Sequence, residues 1–329
     1  MRKLFLMLCF VATGCTAAGT SSAPAPSARS FRAAILGDMP YQVPGDPKGD
    51  SIMAAYHAVL DTIGKENVAF VVHIGDITGA TCSDSLYALR LREFSGVPHP
   101  FIYTFGDNEW TDCARDGKDP VERLAKLREV FTQGNSSLGR RTIPLERQSA
   151  EPTYAKYREN VRWTMGDVVF LTLSVPGSNN NRGTDTTTVP PEFRERNAAN
   201  LAWLREGFDV ATRDGKRGVA VFMQANPGLS TIAGRWAPRP KPDGFADFLS
   251  EFQRLAVAFG KPVVLIHGDT HYFRVDQPFS DSTTRRVIPT ITRAETYGNP
   301  NFHAIVMTVD PASPNLFRFE PLVVQRNAR

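Results

Sequence analysis

Four apolar runs in this chain end in the same dipeptide, Gly-Asp. They are AILGDMPY, VVHIGDITG, YTFGDNEW and VLIHGDTHYF, and they carry Asp38, Asp76, Asp107 and Asp269. The chain holds 25 Gly and 20 Asp in 329 residues, from which chance gives roughly 1.5 Gly-Asp pairs. There are seven, so the excess needs a cause. Gly45-Asp46 and Gly49-Asp50 lie in a proline-containing loop, and Gly166-Asp167 joins two strand-like runs as a hairpin turn. The remaining four share one context, the end of a strand. Taken singly, each reads as a turn or a helix N-cap. Taken together, they read as carboxylates brought to one place.

The body alternates short β-rich runs with longer helical patterns, which predicts an α/β architecture. Strands are expected over 31–36, 68–74, 100–105, 168–175, 218–223, 262–266, 287–291 and 304–309. Helices are expected over 50–64, 84–94, 120–131, 192–213 and 244–259, and loops over 140–151 and 176–189. In an open α/β sheet, ligands bind beyond the carboxyl ends of the strands. A glycine there lets the backbone turn sharply and come close to a ligand. Four aspartates converging on that edge repel one another strongly unless cations lie between them. This is the physical case for a metal site.

Bulk properties limit the alternatives. At 42% hydrophobic and 22% charged, the chain has enough apolar surface for a core, and its length allows one large domain or two smaller ones. The net charge of +4 comes without any dense Lys/Arg run, so no nucleic-acid surface is indicated. No Walker A, GxSxG or HExxH run is present. At the N-terminus, Arg2 and Lys3 precede an apolar stretch over 4–12, too short to span a bilayer, in the pattern of a secretory signal. It ends in VATGC, which resembles the lipobox of bacterial lipoproteins, with Cys15 as the lipidated residue and Ala12 where a leucine is usual. The other reading is a plain signal peptide cleaved within 17–28. The expected organisation is a signal segment over 1–15, a flexible small-residue linker over 16–30 and a single domain over 31–329. The membrane is contacted only through the lipid, and the location is periplasmic or cell-envelope.

The order and spacing of the four motifs resemble the calcineurin-like metallophosphoesterase superfamily. That family has Asp-x-His after the first strand, Gly-Asp after the second, Gly-Asn-His-Asp/Glu after the third, a late histidine at a strand end, and Gly-His-x-His after a further strand. The stretches VVFLTLSVPGS and NLAWL resemble the strand and helix that follow the third motif. The resemblance runs from about residue 31 to 276. It implies two packed mixed β-sheets flanked by helices, a four-layer α-β-β-α sandwich. It also implies a metal-dependent hydrolase of phosphate mono- or diesters, with a small phosphate ester as substrate.

Carried over residue by residue, the resemblance implies metal ligands at Asp38, Asp76, Asp107, Asp269 and His271, with Gln224 or Asn226 from VAVFMQANPG in place of the late histidine. Pro40 stands at a histidine position, and Tyr41 beside it offers a phenol. Asp76 matches the carboxylate that bridges two metals. Asn108 falls on the family's catalytic histidine and can donate a hydrogen bond but shuttle no proton. A one-residue shift makes Asn108 the ligand and brings Glu109 near the acid's position. Oxygen replaces imidazole throughout, which suits one or two Mg²⁺, Mn²⁺ or Ca²⁺ better than Zn²⁺. The missing histidines leave a second reading open: a catalytically degenerate member with a structural or binding role in the envelope. Cys82 lies six residues after Asp76 and Cys113 six after Asp107. The family resemblance makes their strands neighbours, so a Cys82–Cys113 disulfide is expected, pinning both loops.

Overall fold

The structure, a computed structural model, describes residues 29–42, 47–79, 81–229, 231–232, 235–236 and 241–328. The signal segment, Cys15 and most of the linker lie outside the described residues.

Two mixed sheets face each other. The first has β1 (Phe31–Leu36), β2 (Phe70–His73), β3 (Phe101–Tyr103), β13 (Ala304–Val309) and β14 (Phe317–Leu322), in the order β14-β13-β1-β2-β3. The second has β4 (Glu146–Arg147), β5 (Val161–Met165), β6 (Val168–Thr172), β7 (Gly218–Phe222), β10 (Val263–His267), β11 (Arg274–Asp276) and β12 (Ile291–Glu295), in the order β11-β12-β10-β7-β6-β5-β4. A two-stranded ribbon, β8 (Thr231–Ile232) and β9 (Arg235–Trp236), stands apart. The centre of each sheet is parallel: β1, β2 and β3 in one, β6, β7, β10 and β12 in the other. Most of those strands read as apolar runs because both of their faces are covered; β12 (ITRAE) is the exception.

Between the sheets, Ile35, Val72 and Ile305 of one meet Phe170, Phe222 and Ile266 of the other. Outside the first sheet pack α1 (Gly49–Lys65), α2 (Asp84–Gly96) and α3 (Pro120–Phe131), through Tyr56, Phe94 and Leu127. Outside the second pack α5 (Pro191–Arg213) and α6 (Ala246–Phe259), through Trp203, Phe208 and Phe252. The result is the four-layer α-β-β-α sandwich. α4 (Gly177–Asn180) is a single irregular turn.

Local chemistry sets the helix limits. Ser83 accepts from the Leu86 N–H at 3.2 Å to start α2. Asp119 caps α3 with Pro120 at its first position. Gly260, at φ 65, ends α6.

The expected strand over 287–291 is displaced: β12 begins at Ile291 and runs to Glu295. Pro289 lies inside the expected run, and proline has no N–H for a ladder. The expected loop over 140–151 contains the two-residue β4. β11 and β14 were not anticipated. Both lie at sheet edges; β11 is three residues long, and Pro321 interrupts the alternation in FRFEPL that marks β14. The Gly166-Asp167 hairpin is present, with Met165 paired to Val168.

Candidate metal centre

The four strand-end aspartates meet along one edge of the sandwich. Asp38 follows β1 and Asp269 follows β10, in different sheets. The Asp269 N–H lies 3.1 and 3.0 Å from the two carboxylate oxygens of Asp38. Asp76 follows β2 and Asp107 follows β3, and the Asn108 N–H donates to Asp76 Oδ1 at 3.2 Å. Glycine is required in these dipeptides by the neighbouring loop. A Cβ on Gly106 would overlap Asp76 Oδ1, and one on Gly268 would overlap Asp38 Oδ2. The glycine of one motif thus makes room for the carboxylate of another. Gly106→Ala is expected to destabilise the fold by roughly 1–3 kcal/mol through this overlap. Urea denaturation measures it, and an unchanged midpoint would contradict the interlock.

Asp38, Asp76, Asp269 and His271 hold φ of 53°, 60°, 78° and 66°. That left-handed backbone costs an L-residue roughly 1–2 kcal/mol, and such outliers gather at functional sites. Asp38 is fully buried, and Asp76 and Asp107 are nearly so. Burial first, then repulsion from a neighbouring carboxylate, raises all four carboxyls. Asp38 and Asp76 rise well above the usual range, Asp107 rises through burial and Asp112, and Asp269 reaches about 7 through burial and Asp107. The groups acting most strongly on them include no lysine or arginine.

Hydroxyls from two loops meet these oxygens. The Tyr41 O–H donates to Asp76 Oδ2 at 2.6 Å and lies 3.2 Å from His271 Nε2. Ser178 Oγ lies 2.8 Å from Asp107 Oδ2. His271 Nδ1 sits 2.5 Å from the Asn299 carbonyl, so Nδ1 carries the proton and Nε2 presents its lone pair to the cleft. Burial lowers the pKa of this imidazole and keeps it neutral.

The third motif divides into a front and a back. Asp107 faces Asp76 and Ser178. Asn108 donates through Nδ2 to the Thr78 carbonyl at 2.9 Å. Glu109 is buried behind the loops and accepts from the N–H groups of Gly106 (2.5 Å), Asp76 (3.1 Å) and Ile77 (3.3 Å) and from the Tyr103 hydroxyl (2.7 Å). Burial pushes this carboxyl up to about 7 even though the donors pull it down. The Cys82–Cys113 disulfide is present with a Cα–Cα distance of 5.8 Å. Its sulfurs lie 3.5 and 3.8 Å from the Asn108 carbonyl oxygen.

Gln224 and Asn226 both reach the site, with their oxygens engaged. Gln224 Oε1 accepts from the Gly177 N–H at 2.6 Å, and its Nε2 turns toward Asp38 at 3.5 Å. Asn226 Oδ1 accepts from the Leu229 N–H at 3.1 Å, and its own N–H donates to Asp269 Oδ2 at 2.9 Å. Arg274 pairs with the buried Glu295 at 2.8 Å. His267 and His73 are fully buried and held at about 3 by that burial; His73 bonds the Met39 carbonyl at 3.1 Å. His57, His99 and His303 engage Glu93, Arg141 and the Val324 N–H. Sequence reasoning mentioned Tyr41 without placing it in the site and missed Ser178 and Asp112. Their partners are distant along the chain, so no local pattern marks them.

No family model matches the sequence, and no curated protein matches it. Among solved structures the chain is similar to PhoD, with a TM-score of 0.55 and 14% identity over 88% of this chain. It spans 65% of the length of PhoD. With two facing mixed sheets already in place, that likeness decides the architecture. The chain has the calcineurin-like metallophosphoesterase fold. TT1561 of Thermus thermophilus is also similar (TM-score 0.46, 10% identity, 90% of this chain and 99% of that one). So is 5'-nucleotidase from Candida albicans (TM-score 0.44, 10% identity, 92% and 52%). These two scores are lower and carry no argument.

Within the metallophosphoesterase fold, the donor set suits a hard divalent cation. Four crowded carboxylates, three of them buried, have no basic side chain prominent among the groups that act on them. As placed, no group of three or more His, Cys, Asp or Glu side chains among the described residues could hold a metal ion. The carboxylate oxygens instead turn to protein donors: Tyr41, Ser178 and the N–H groups of Asp269, Asn108 and Asn226.

Proposed function

We propose that this cleft binds one or two divalent cations and hydrolyses phosphate mono- or diesters. The observation that carries the reading is the set of four strand-end carboxylates, three of them buried and Asp269 partly so, with no compensating positive charge prominent around them. Asp38, Asp76, Asp107, Asp269 and His271 Nε2 would hold the ions, with the amide oxygens of Gln224 or Asn226 available on reorientation. Oxygen donors of this kind favour Mg²⁺, Mn²⁺ or Ca²⁺ over Zn²⁺. An ion held there supplies Lewis-acid chemistry, lowering the pKa of a water and offsetting charge on phosphoryl oxygens.

The chain's own residues do the rest. Neutral His271 is oriented by Asn299, so Nε2 can bind an ion or take a proton. Tyr41 keeps its proton and holds Asp76 in place. Asn108 bonds the Thr78 carbonyl through one Nδ2 hydrogen, and the second would donate to a phosphoryl oxygen. It has no proton to give at neutral pH, so the leaving group takes its proton from water.

The disulfide and the N-terminal segment support an exported protein, anchored through Cys15. No helix among the described residues is long and apolar enough to cross a membrane. The amide at the histidine position, tied to Thr78, favours a second reading, a cation-binding envelope protein without turnover.

Hydrolysis of a generic phosphomonoester and phosphodiester decides between them, with Mg²⁺, Mn²⁺, Ca²⁺ or Zn²⁺ added to the mature chain. Activity is expected to require the ion and to fall about 10³-fold in Asp76→Asn. Activity that survives the substitution counts against the hydrolytic site. Ion binding without turnover favours the second reading.

A further inference from the structure

The loop after β6 holds a backbone that most residues avoid. Ser178, Asn179, Asn180 and Asn181 have φ of 47°, 56°, 55° and 53°. Left-handed backbone is costly for every residue except glycine and is tolerated best by asparagine. Four such residues in a row persist only where the surroundings over-determine them.

Those surroundings are specific. The Arg196 guanidinium is fully buried and donates to the Asn180 carbonyl (2.8 Å), Asn180 Oδ1 (2.5 Å) and the Ser174 carbonyl (2.8 Å). Glu192 Oε1 holds it at 2.6 Å, and its carbon lies 5.2 Å from the centre of the Trp110 ring. Asn179 accepts from the Gly244 N–H at 2.8 Å and donates to the Pro242 carbonyl at 2.9 Å.

The outcome of this clamp is the placement of one hydroxyl. Ser178 Oγ lies 2.8 Å from Asp107 Oδ2 and 2.7 Å from Asp112 Oδ1. Asp112 in turn pairs with Arg115 at 2.6 Å on the rim. A Cβ on Gly177 would come within 2.6 Å of Asp107 Oδ2, so the same loop also walls that carboxylate. One hydroxyl proton serves two carboxylates, so Ser178 links the rim pair to Asp107.

We propose that Ser178 is a positioning residue that holds one oxygen of Asp107 and leaves the other for a bound cation. Arg196 and the left-handed turn keep it there. This rests on the cation-binding reading of the site.

The test is calorimetric titration of the metal-free mature protein with Mn²⁺, beside Ser178→Ala and Ser178→Gly, with a melting temperature for each. Ion affinity is expected to fall about tenfold in both variants, as for other groups that orient a ligand. Metal-free Ser178→Gly is expected to melt no lower than wild type, because glycine adopts φ near 47° without strain. Wild type that binds no ion overturns the cation site and this inference with it. Wild type that binds, with both variants within about twofold of it, overturns the role of Ser178 alone. Affinity that falls only in step with the melting temperature makes Ser178 a fold-holding residue and also overturns the inference.

Discussion

Held free of divalent ions by a chelator, the protein is expected to lose stability relative to an Asp269→Asn variant as pH rises from about 4 to about 7, the reverse of what carboxylates contribute to ordinary acid denaturation. Asp269 moves from 3.8 to about 7 through burial and the nearby Asp107. Asp38, Asp76 and Asp107 move in the same direction. In that window the unfolded chain has released these protons and the folded chain still holds them. Stability present below about pH 4 is therefore lost as pH climbs through the folded values. The loss for the group as a whole is on the order of a few kcal/mol. His73 and His267, held at about 3 by burial, push the other way between about pH 3 and 6.5. Asp185 and Glu251, lowered to about 2 by their hydrogen-bonding partners, do so below about pH 5, so the carboxyl contribution is read against a variant that lacks one of the four.

A cation that binds the ionised carboxylates should reverse the trend at about pH 7. At one hundred times its dissociation constant it adds about 2.7 kcal/mol. Toward about pH 4 protons compete with the ion for these carboxyls, and the same ion should add less. Calorimetric melting of wild type and Asp269→Asn from about pH 4 to about 8, with chelator and with Mg²⁺, reads both effects. Wild type that gains as much stability as Asp269→Asn across that range in chelator would show that the four carboxylates are not crowded in this way.

The second large effect is expected at the disulfide. Cys82 and Cys113 are fully buried, 31 residues apart in sequence. Closing a loop of that length removes unfolded-state entropy equivalent to about 3.5 kcal/mol. The Cys82→Ala/Cys113→Ala double variant should lose about that much in urea denaturation. A loss below about 1 kcal/mol would mean that the bond does little to hold the fold. Ion affinity should suffer less than stability. The loops of Asp76 and Asp107 stay joined through Glu109, which accepts from backbone N–H groups in both.

Much of this site was legible one strand at a time. A Gly-Asp pair after an apolar run is a local signal, and so is the strand that precedes it. The equal offset of the two cysteines from Asp76 and Asp107 could be read the same way. The identities of the third-motif residues did not reveal their roles. Asp107, Asn108 and Glu109 are adjacent, yet one faces the cleft, one bonds the Thr78 carbonyl and one lies behind the loops. Which way each points depends on how the β2 and β3 loops pack.

By itself, then, the sequence determined the α/β alternation and the four strand-end carboxylates, which depend on short-range periodicity and on residue types that backbone geometry demands at a strand end. The two-sheet sandwich and the pairing of the cysteines were implied by the family resemblance that those motifs carry. Only the tertiary structure decided that Tyr41 bonds Asp76, that Ser178 bonds Asp107 across 71 residues, and that Gln224 and Asn226 turn their oxygens to backbone N–H groups. Those contacts form where the edges of two sheets meet. A buried polar atom there takes the partner that packing brings to it, and no spacing along the chain records which one that is.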